Sequence, residues 1–240
     1  GPAGYVSAIR ASQLGLKTAI IERDQLGGVC LNWGCIPTKA LLRSAEIKHM
    51  IDHAKDFGFV IDQYQVDLNK IIERSRRVAN QLANGIQHLL KKNKITVFKG
   101  HAYIQKPGVI QVKNDQGKLE TIEANHIILA TGAKPRLLPN MPIDHPRVWT
   151  AKQAMMPAFM PKSLLVVGSG AIGIEFASFY RTMGSEVTVV EMQNRILPQE
   201  DTEISSLAQK SFEKQGIHFH LNTTVSNLNP GTEKVRVVLQ

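Results

Sequence analysis

The spacing of apolar residues along this chain switches repeatedly between a helical and an extended period, and the switches mark out its elements. Residues 5–14 read as a helix and Lys17 to Glu22 (K-T-A-I-I-E) as a buried parallel strand, followed by a Gly-rich turn at Leu26-Gly27-Gly28. From Thr38 to about Asp56 the period is helical, with Ala40, Leu41, Ile47 and Ile51 available for one buried side. Asp67 is suited to cap a second helix running to about Lys92. Lys91, Lys92 and Lys94 cluster where the C-terminal end of a helix dipole favours cations.

The period then shortens. Strands are predicted at about 95–99, 101–105, 109–113 and 118–123, punctuated by Pro107-Gly108 and Asn114-Asp115-Gln116-Gly117. Ile127 to Ala130 reads as another buried strand, ending at Thr131-Gly132. Residues 134–162 hold six of the eleven prolines, which marks a linker or domain boundary. Beyond it the pattern predicts a strand at 164–167, a helix to about Met183, a strand at 186–190 and a helix from about 202 to 215. Three short strands, 217–221, 223–227 and 234–239, end the chain.

Slid against itself by 169 positions, the chain repeats: Gly1, Gly4, Ala8, Gly15 and Glu22 fall on Gly170, Gly173, Ala177, Gly184 and Glu191. Both copies read G-x-x-G, helix, Gly, strand, Glu. The second is complete, because Gly168-Ser-Gly170-Ala-Ile-Gly173 follows a strand and opens a helix. Gly168 allows the tight turn, Gly170 lets a pyrophosphate approach the backbone, and Gly173 permits close helix–strand packing. Glu191 stands at the tip of the next strand, where it can accept hydrogen bonds from both ribose hydroxyls. A carboxylate there repels the 2′-phosphate of NADP and favours NAD, while Arg195 nearby in sequence keeps NADP open. The first copy lacks its opening strand and first glycine, so it reads as an incomplete unit of the same kind. One flavin and one nicotinamide dinucleotide would make an electron-transfer pair.

Composition narrows the classes. With 43% hydrophobic residues the 240-residue chain can fill a globular core. No apolar run reaches the roughly 18 residues of a membrane span, and a secretory signal is not expected. The +9 charge is scattered; its densest runs, Arg74-Ser-Arg76-Arg77 and Lys91-Lys92-Asn-Lys94, lack interleaved aromatics. A solvated helix face is therefore the expected use of those runs, and nucleic acid is not an expected partner. The two cysteines, Cys30 and Cys35, are too few for a disulfide-built secreted scaffold and point to a reducing compartment. Five residues of regular helix separate Cα atoms by roughly 8–9 Å, beyond the ~7 Å limit for a disulfide. A bridge thus requires a distorted segment, for which Asn32 and Gly34 are suited. The alternatives are two inert buried thiols or a strained redox couple near a helix N-terminus, where thiolates are favoured.

The stretch Gly27-Gly-Val-Cys-Leu-Asn-Trp-Gly-Cys-Ile-Pro-Thr-Lys-Ala-Leu-Leu42 closely resembles the redox motif of the pyridine nucleotide–disulfide oxidoreductases. Its wording is nearest to the members that reoxidise dihydrolipoamide in 2-oxo acid dehydrogenase complexes. The likeness extends through Ala130-Thr131-Gly132, the nicotinamide fingerprint, and Ile196-Leu-Pro198 before Asp201. It implies an α/β fold of two Rossmann-like dinucleotide-binding domains with β-meander insertions. Residues 1–144 would be an incomplete FAD-binding domain with the redox disulfide, and 145–240 an incomplete NAD-binding domain.

By the same resemblance Cys30 exchanges with the substrate dithiol and Cys35 lies against the flavin. Lys39 approaches the flavin ring and pairs with Glu175, whose neighbours Ile172, Ile174, Phe176 and Ala177 imply a buried pair. Gly1, Gly4, Glu22, Gly28, Gly100, Thr131 and Gly132 would contact FAD. Gly168, Gly170, Gly173, Glu191 and Val225 would contact NAD. The implied partners are a lipoyl-bearing acyltransferase component and a second copy of the intact protein. The implied compartment is the cytoplasm, or the mitochondrial matrix in a eukaryote.

Family members add a C-terminal dimerisation domain that supplies a His–Glu acid/base pair from the neighbouring subunit, which is absent from this sequence. His49 with His53, and His218 with His220, offer no substitute and read as structural or surface residues; no metal is expected. Glutathione and mercuric reductase relatives share the cysteine motif, although Glu191 disfavours their NADP. A non-catalytic dinucleotide-binding module is the reading from a different class.

Overall fold

The computed structural model describes residues 1–137, 142 and 144–240. Part of the expected linker, residues 138–141 and 143, lies outside the described residues. By internal packing the chain divides into two compact units, Gly1–Pro37 with Ser75–Lys134 and Thr38–Arg74 with Pro135–Gln240. The expected cut at 144/145 follows the chain, whereas this division follows packing, which assigns residues 38–74 to the second unit.

In the first unit, α1 (Pro2–Gln13) starts ahead of the expected residue 5 because Pro2, with its fixed φ, suits a first helical turn. The strand β1 (Ala19–Glu22) pairs in parallel with β2 (Thr96–Lys99), Glu22 facing Lys99. A short helix not anticipated from the pattern, α2 (Gly28–Trp33), is followed by α3 (Cys35–Asp52), which continues into the second unit. The long α4 (Leu68–Lys92) brings the chain back, starting beside Asp67, whose Oδ1 accepts from Lys70 N at 3.1 Å. Ala8, Leu31, Ile86, Leu90 and Ile95 form the core here, with Ile20, Leu26, Cys30 and Ile36 packed against it.

Three strands, β3 (His101–Lys106), β4 (Val109–Lys113) and β5 (Leu119–Glu123), form the expected antiparallel meander. Ile127–Ala130 is not a strand, contrary to its apolar reading. No described strand pairs with it, and an extended segment without a ladder partner leaves its apolar side chains uncovered. Ile128 and Leu129 are accordingly exposed, while Ala130 lies against Gly4.

In the second unit, α5 (Ala151–Met155) interrupts the proline-rich stretch; its capping residue Thr150 donates its backbone N–H to Gln153 Oε1 at 3.1 Å. A parallel sheet in the order β6 (Ser163–Val167), β7 (Glu186–Val190), β8 (Ile217–His220) is linked by α6 (Ala171–Thr182) and α7 (Thr202–Lys214), a βαβαβ half of the doubly wound fold. The central strand β7 buries Val187, Val189 and Val190, whereas β6, at the edge of the sheet, is half-buried with Val167 exposed. Asp201 caps α7, its Oδ1 accepting from Glu203 N at 2.8 Å. The hairpin of β9 (Val225–Pro230) and β10 (Val235–Leu239) closes the described chain. Residues 38–74 belong here through α3 and the start of α4, where Arg74 Nη1 donates to Ala40 O at 2.9 Å.

Candidate functional site

The two cysteines flank a break between helices. Cys30 lies within α2, half-buried against the first core, and Cys35 is the exposed first residue of α3. They are not bridged; both are thiols. Gly34 separates the helices, and a Cβ there would stand 3.0 Å from Val29 O and 3.3 Å from Cys30 Cα. A side chain here would require the preceding turn to give by a few tenths of an ångström. Buried Asn32 stiffens the same segment, its Nδ2 donating to Leu26 O at 3.0 Å and Gly28 O at 2.9 Å. The distorted segment anticipated from the five-residue spacing is therefore a helix–Gly–helix joint.

Lys39 follows on α3. Its Nζ reaches Glu175 Oε1 on α6 at 2.5 Å, so the two residues are paired. The pair is not buried: Lys39 is 63% exposed and Glu175 25%. Of the apolar neighbours of Glu175, Ile174, Phe176 and Ala177 are buried and Ile172 is exposed, while the carboxylate turns toward the lysine. Arg43–Glu46 and Lys48–Asp52 further along α3 are local ion pairs.

The second glycine fingerprint has the geometry its spacing requires. A Cβ on Gly173 would sit 2.1 Å from Gly168 O and 3.3 Å from Val166 Cγ1, so α6 packs against β6 at a distance only glycine tolerates. Gly170, the N-cap of α6, faces open space, and Gly168 N is fixed to Val190 O at 2.8 Å. The unpaired N–H groups of the first turn are thus accessible to an anion.

Glu191 departs from expectation. It is 6% exposed, its Oε2 accepting from Ser169 N at 2.8 Å and Ser169 Oγ at 2.7 Å, and its Oε1 from Gln193 N at 2.9 Å. A carboxylate has about four acceptor positions. The protein fills at least three of them, and the Met192 backbone N–H is directed at the same carboxylate, so the side chain is held chiefly by its own turn. Burial pushes the carboxyl up, but the donors from Ser169 and Gln193 outweigh it and hold Glu191 below the usual carboxylate range. Ser169 is fixed from its other side too, Leu197 N donating to its carbonyl at 3.0 Å. Thr223 N donates to Glu191 O, two residues before half-buried Val225.

The first copy is built around Gly1 and Gly28. Gly28 has φ +63°, and a Cβ on it would lie 2.4 Å from Gly1 Cα, so the two backbones touch. Glu22 Oε2 stands 3.9 Å from Gly1 N, and Gly100 N donates to Glu22 O at 3.0 Å. Bare backbone and a carboxylate thus lie together at this turn. Gly4, by contrast, makes only ordinary contacts, and Thr131 and Gly132 are exposed.

The histidines form no ligand set. His49 and His53 are exposed with ring centroids 4.2 Å apart. Among the described residues no group of three His, Cys, Asp or Glu is placed to hold a metal, and no helix is long and apolar enough to cross a membrane. The charge run at 74–77 is not simply a solvated face: Arg74 and Arg76 are half-buried, and Arg76 stacks on Trp33. The contribution of Ser169 was open to inference from a hydroxyl next to a glycine turn. That of Arg76, 44 positions from the residue it holds, was not.

The comparisons with known proteins agree with this geometry. Residues 1–240 match the family described as Pyridine nucleotide-disulphide oxidoreductase. The dihydrolipoyl dehydrogenase of Rhizobium etli is 50% identical over 251 residues, covering 98% of this chain and 52% of that relative. That of Zymomonas mobilis is 50% identical over 235 residues, covering 98% and 50%. Among solved structures, LpdA from Mycobacterium tuberculosis matches with a TM-score of 0.90 at 29% identity, over 100% of this chain and 53% of its own. The HOCl-induced flavoprotein disulfide reductase RclA from Escherichia coli matches with a TM-score of 0.83 at 29% identity, over 99% and 51%. The chain spans about half the length of the curated relatives it matches. Two dinucleotide-type glycine turns, a cysteine pair at a helix joint and a match along every residue lead to one assignment: the chain belongs to the pyridine nucleotide-disulphide oxidoreductase family.

Proposed function

We propose that residues 1–240 are the dinucleotide-binding and redox-cysteine portion of an FAD-dependent dithiol–disulfide oxidoreductase of the dihydrolipoyl dehydrogenase type. The intact protein would oxidise dihydrolipoamide with NAD+, giving lipoamide, NADH and a proton. The observation that carries this reading is the helix–Gly34–helix joint, with Cys30 anchored in the core and Cys35 exposed at the start of a long helix.

In this mechanism a substrate thiolate attacks Cys30 of the oxidised pair, forming a mixed disulfide and releasing Cys35 as a thiolate. The second substrate thiol displaces Cys30, closing the lipoyl disulfide and leaving both cysteines reduced. A positioned acid/base takes the substrate thiol proton, and Cys30 and Cys35 share the two electrons gained. FAD, when bound, supplies the two-electron relay from the cysteine pair to the nicotinamide. Gly1, Gly4, Glu22, Gly28, Gly100, Thr131 and Gly132 would hold it, with Lys39, oriented by Glu175, beside its ring. Gly168, Gly170, Gly173, Glu191 and Val225 would hold NAD. A lipoyl-bearing acyltransferase, a homodimeric state, and a cytoplasmic or mitochondrial-matrix location belong to the same proposal.

The experiment is reduction of NAD+ by dihydrolipoamide, with visible spectra recorded during two-electron reduction. The full-length protein is expected to turn over with NAD+ strongly preferred to NADP+, and Glu191→Arg to erode that preference. Equal rates with both nucleotides would remove the specificity role of Glu191. Residues 1–240 alone are expected to be slower by about 10²–10⁴ if the acid/base lies elsewhere in the protein.

A further inference from the structure

The Cys30–Cys35 loop is held from a direction that the cysteine motif does not encode. Arg76 on α4 donates from Nη1 to the main-chain oxygen of Asn32 at 2.6 Å. Its guanidinium carbon stands 4.8 Å from the centroid of the Trp33 ring. Asn32 and Trp33 both lie between the cysteines, in the last turn of α2, where carbonyl groups have no partner within the helix. Asn32 ties the other side of the loop through Leu26 O and Gly28 O. A cation and a side-chain amide thus grip the loop from two sides, and all these residues belong to one compact unit.

The choice of residue fits the task. A planar, delocalised cation can stack on an aromatic face and donate in its own plane at the same time, which an ammonium cannot. Burial pushes the Arg76 guanidinium below the usual arginine range, yet arginine remains charged in proteins. Asn32 is two residues from Cys30 and three from Cys35. Three residues of chain span at most about 11 Å, so a group bonded to its oxygen stands in the neighbourhood of both cysteines.

We propose that Arg76 is a positioning residue for the dithiol chemistry: it pins the loop through Asn32 and Trp33, and its charge favours the reduced pair over the disulfide. The inference rests on the reading of Cys30 and Cys35 as a redox couple. Reduction breaks one S–S bond and adds two electrons; the sulfur left unprotonated is an anion. A nearby cation attracts that anion and has no comparable attraction for the neutral disulfide.

The test equilibrates the full-length, FAD-loaded protein with mixtures of reduced and oxidised dithiothreitol. In this exchange the protein's thiolate–thiol pair, the cyclic disulfide and one proton from solvent become the protein disulfide and the dithiol, two electrons moving to the reagent. Alkylation followed by mass spectrometry reads the fraction of Cys30–Cys35 bridged. Arg76→Met is expected to shift the equilibrium about tenfold toward the disulfide, ~30 mV for a two-electron couple. It should also slow iodoacetamide alkylation of the reduced pair at pH 7. Arg76→Lys, which keeps the charge and loses the stacked fork, is expected to recover at least half of the shift on a logarithmic scale.

A folded Arg76→Met protein within about twofold of the wild-type equilibrium would overturn the proposal. So would an Arg76→Lys shift as large as that of Arg76→Met. If Arg76→Met does not fold, Trp33→Leu carries the test: a shift of about threefold in the same direction supports the proposal and an unchanged equilibrium overturns it. A wild-type pair that never bridges at any dithiothreitol ratio would refute the redox-couple reading itself and take this proposal with it.

Discussion

The two copies of the Gly-x-x-Gly turn share a local code and meet different surroundings. In the second, α6 buries Ile174, Phe176, Ala177, Phe179 and Tyr180, and Gly173 lies so close to Gly168 O and Val166 that any side chain would collide. In the first, α1 buries Ala8 alone, and a Cβ on the matching Gly4 would meet only Ala130 Cβ at 3.5 Å and Ile20 Cδ1 at 3.8 Å. The acidic residues diverge in the same way. Glu191 is buried and held by donors from Ser169 and Gln193, while Glu22 is partly exposed and accepts from Asp24 N. A motif thus specifies a turn, but the strand packed behind it decides whether each of its residues is obligatory.

Substitution of the matched glycines should widen this contrast most. Gly173→Ala is expected to destabilise the second unit by about 1–3 kcal/mol, because backbone rather than a flexible side chain must move. Gly4→Ala should be neutral or stabilising by up to about 1 kcal/mol, since it lowers the entropy of the unfolded chain without a clash. Urea unfolding separates the two, with Trp149, packed near Tyr180, reporting on the second unit and Trp33 on the first. Equal losses would mean that the first copy is packed as tightly as the second.

Acid should loosen the hold of the buried carboxylate of the second copy. Glu191 has its pKa lowered on folding from an ordinary value of 4.5. Its stabilising effect is therefore complete above that value and lost as the pH falls through the lower folded-state pKa. Glu191→Gln should cost about 1–3 kcal/mol at pH 7 by weakening charge-assisted hydrogen bonds. The gap between wild type and variant should begin to narrow as the pH falls below 4.5. Melting curves showing a constant gap from pH 7 to pH 3 would refute this. Glu22→Gln, at a partly exposed carboxylate, should cost less than Glu191→Gln at pH 7.

The smallest effect is expected at Lys39–Glu175. With the lysine mostly in solvent, Glu175→Ala should cost no more than about 1 kcal/mol, and less in high salt. This replaces the several kcal/mol that a buried pair would imply. A loss above about 2 kcal/mol, insensitive to salt, would show the pair to be shielded after all.

These differences also trace what was legible in the sequence. The helix at 171–182, the strand at 186–190 and the helix at 202–214 appeared where expected, because each carries an unbroken apolar period and a capping or turn residue. Residues 127–130 have equally apolar letters, but a strand needs a neighbour, and letters do not report one. The helix at 151–155 had a signal in Thr150-x-x-Gln153, a capping-box pattern obscured by surrounding prolines. The cysteines, the glycines and the Lys39–Glu175 pairing were readable from their motifs. The exposure of that pair, the burial of Glu191 and the grip of Arg76 on Asn32 were not. Each depends on residues dozens of positions apart meeting in space.

The locking of Ser169 has a consequence for how a ligand is met. Its N–H and hydroxyl are both given to Glu191 and its carbonyl to Leu197, so the middle of the glycine turn is held in place by the protein's own groups. Ordering a backbone residue costs about 1–2 kcal/mol of entropy. Here that cost falls on folding rather than on ligand capture. Under the proposed function, a dinucleotide arriving at Gly170 would meet a template with little freedom left to surrender, and such rigidity raises affinity without adding a single contact.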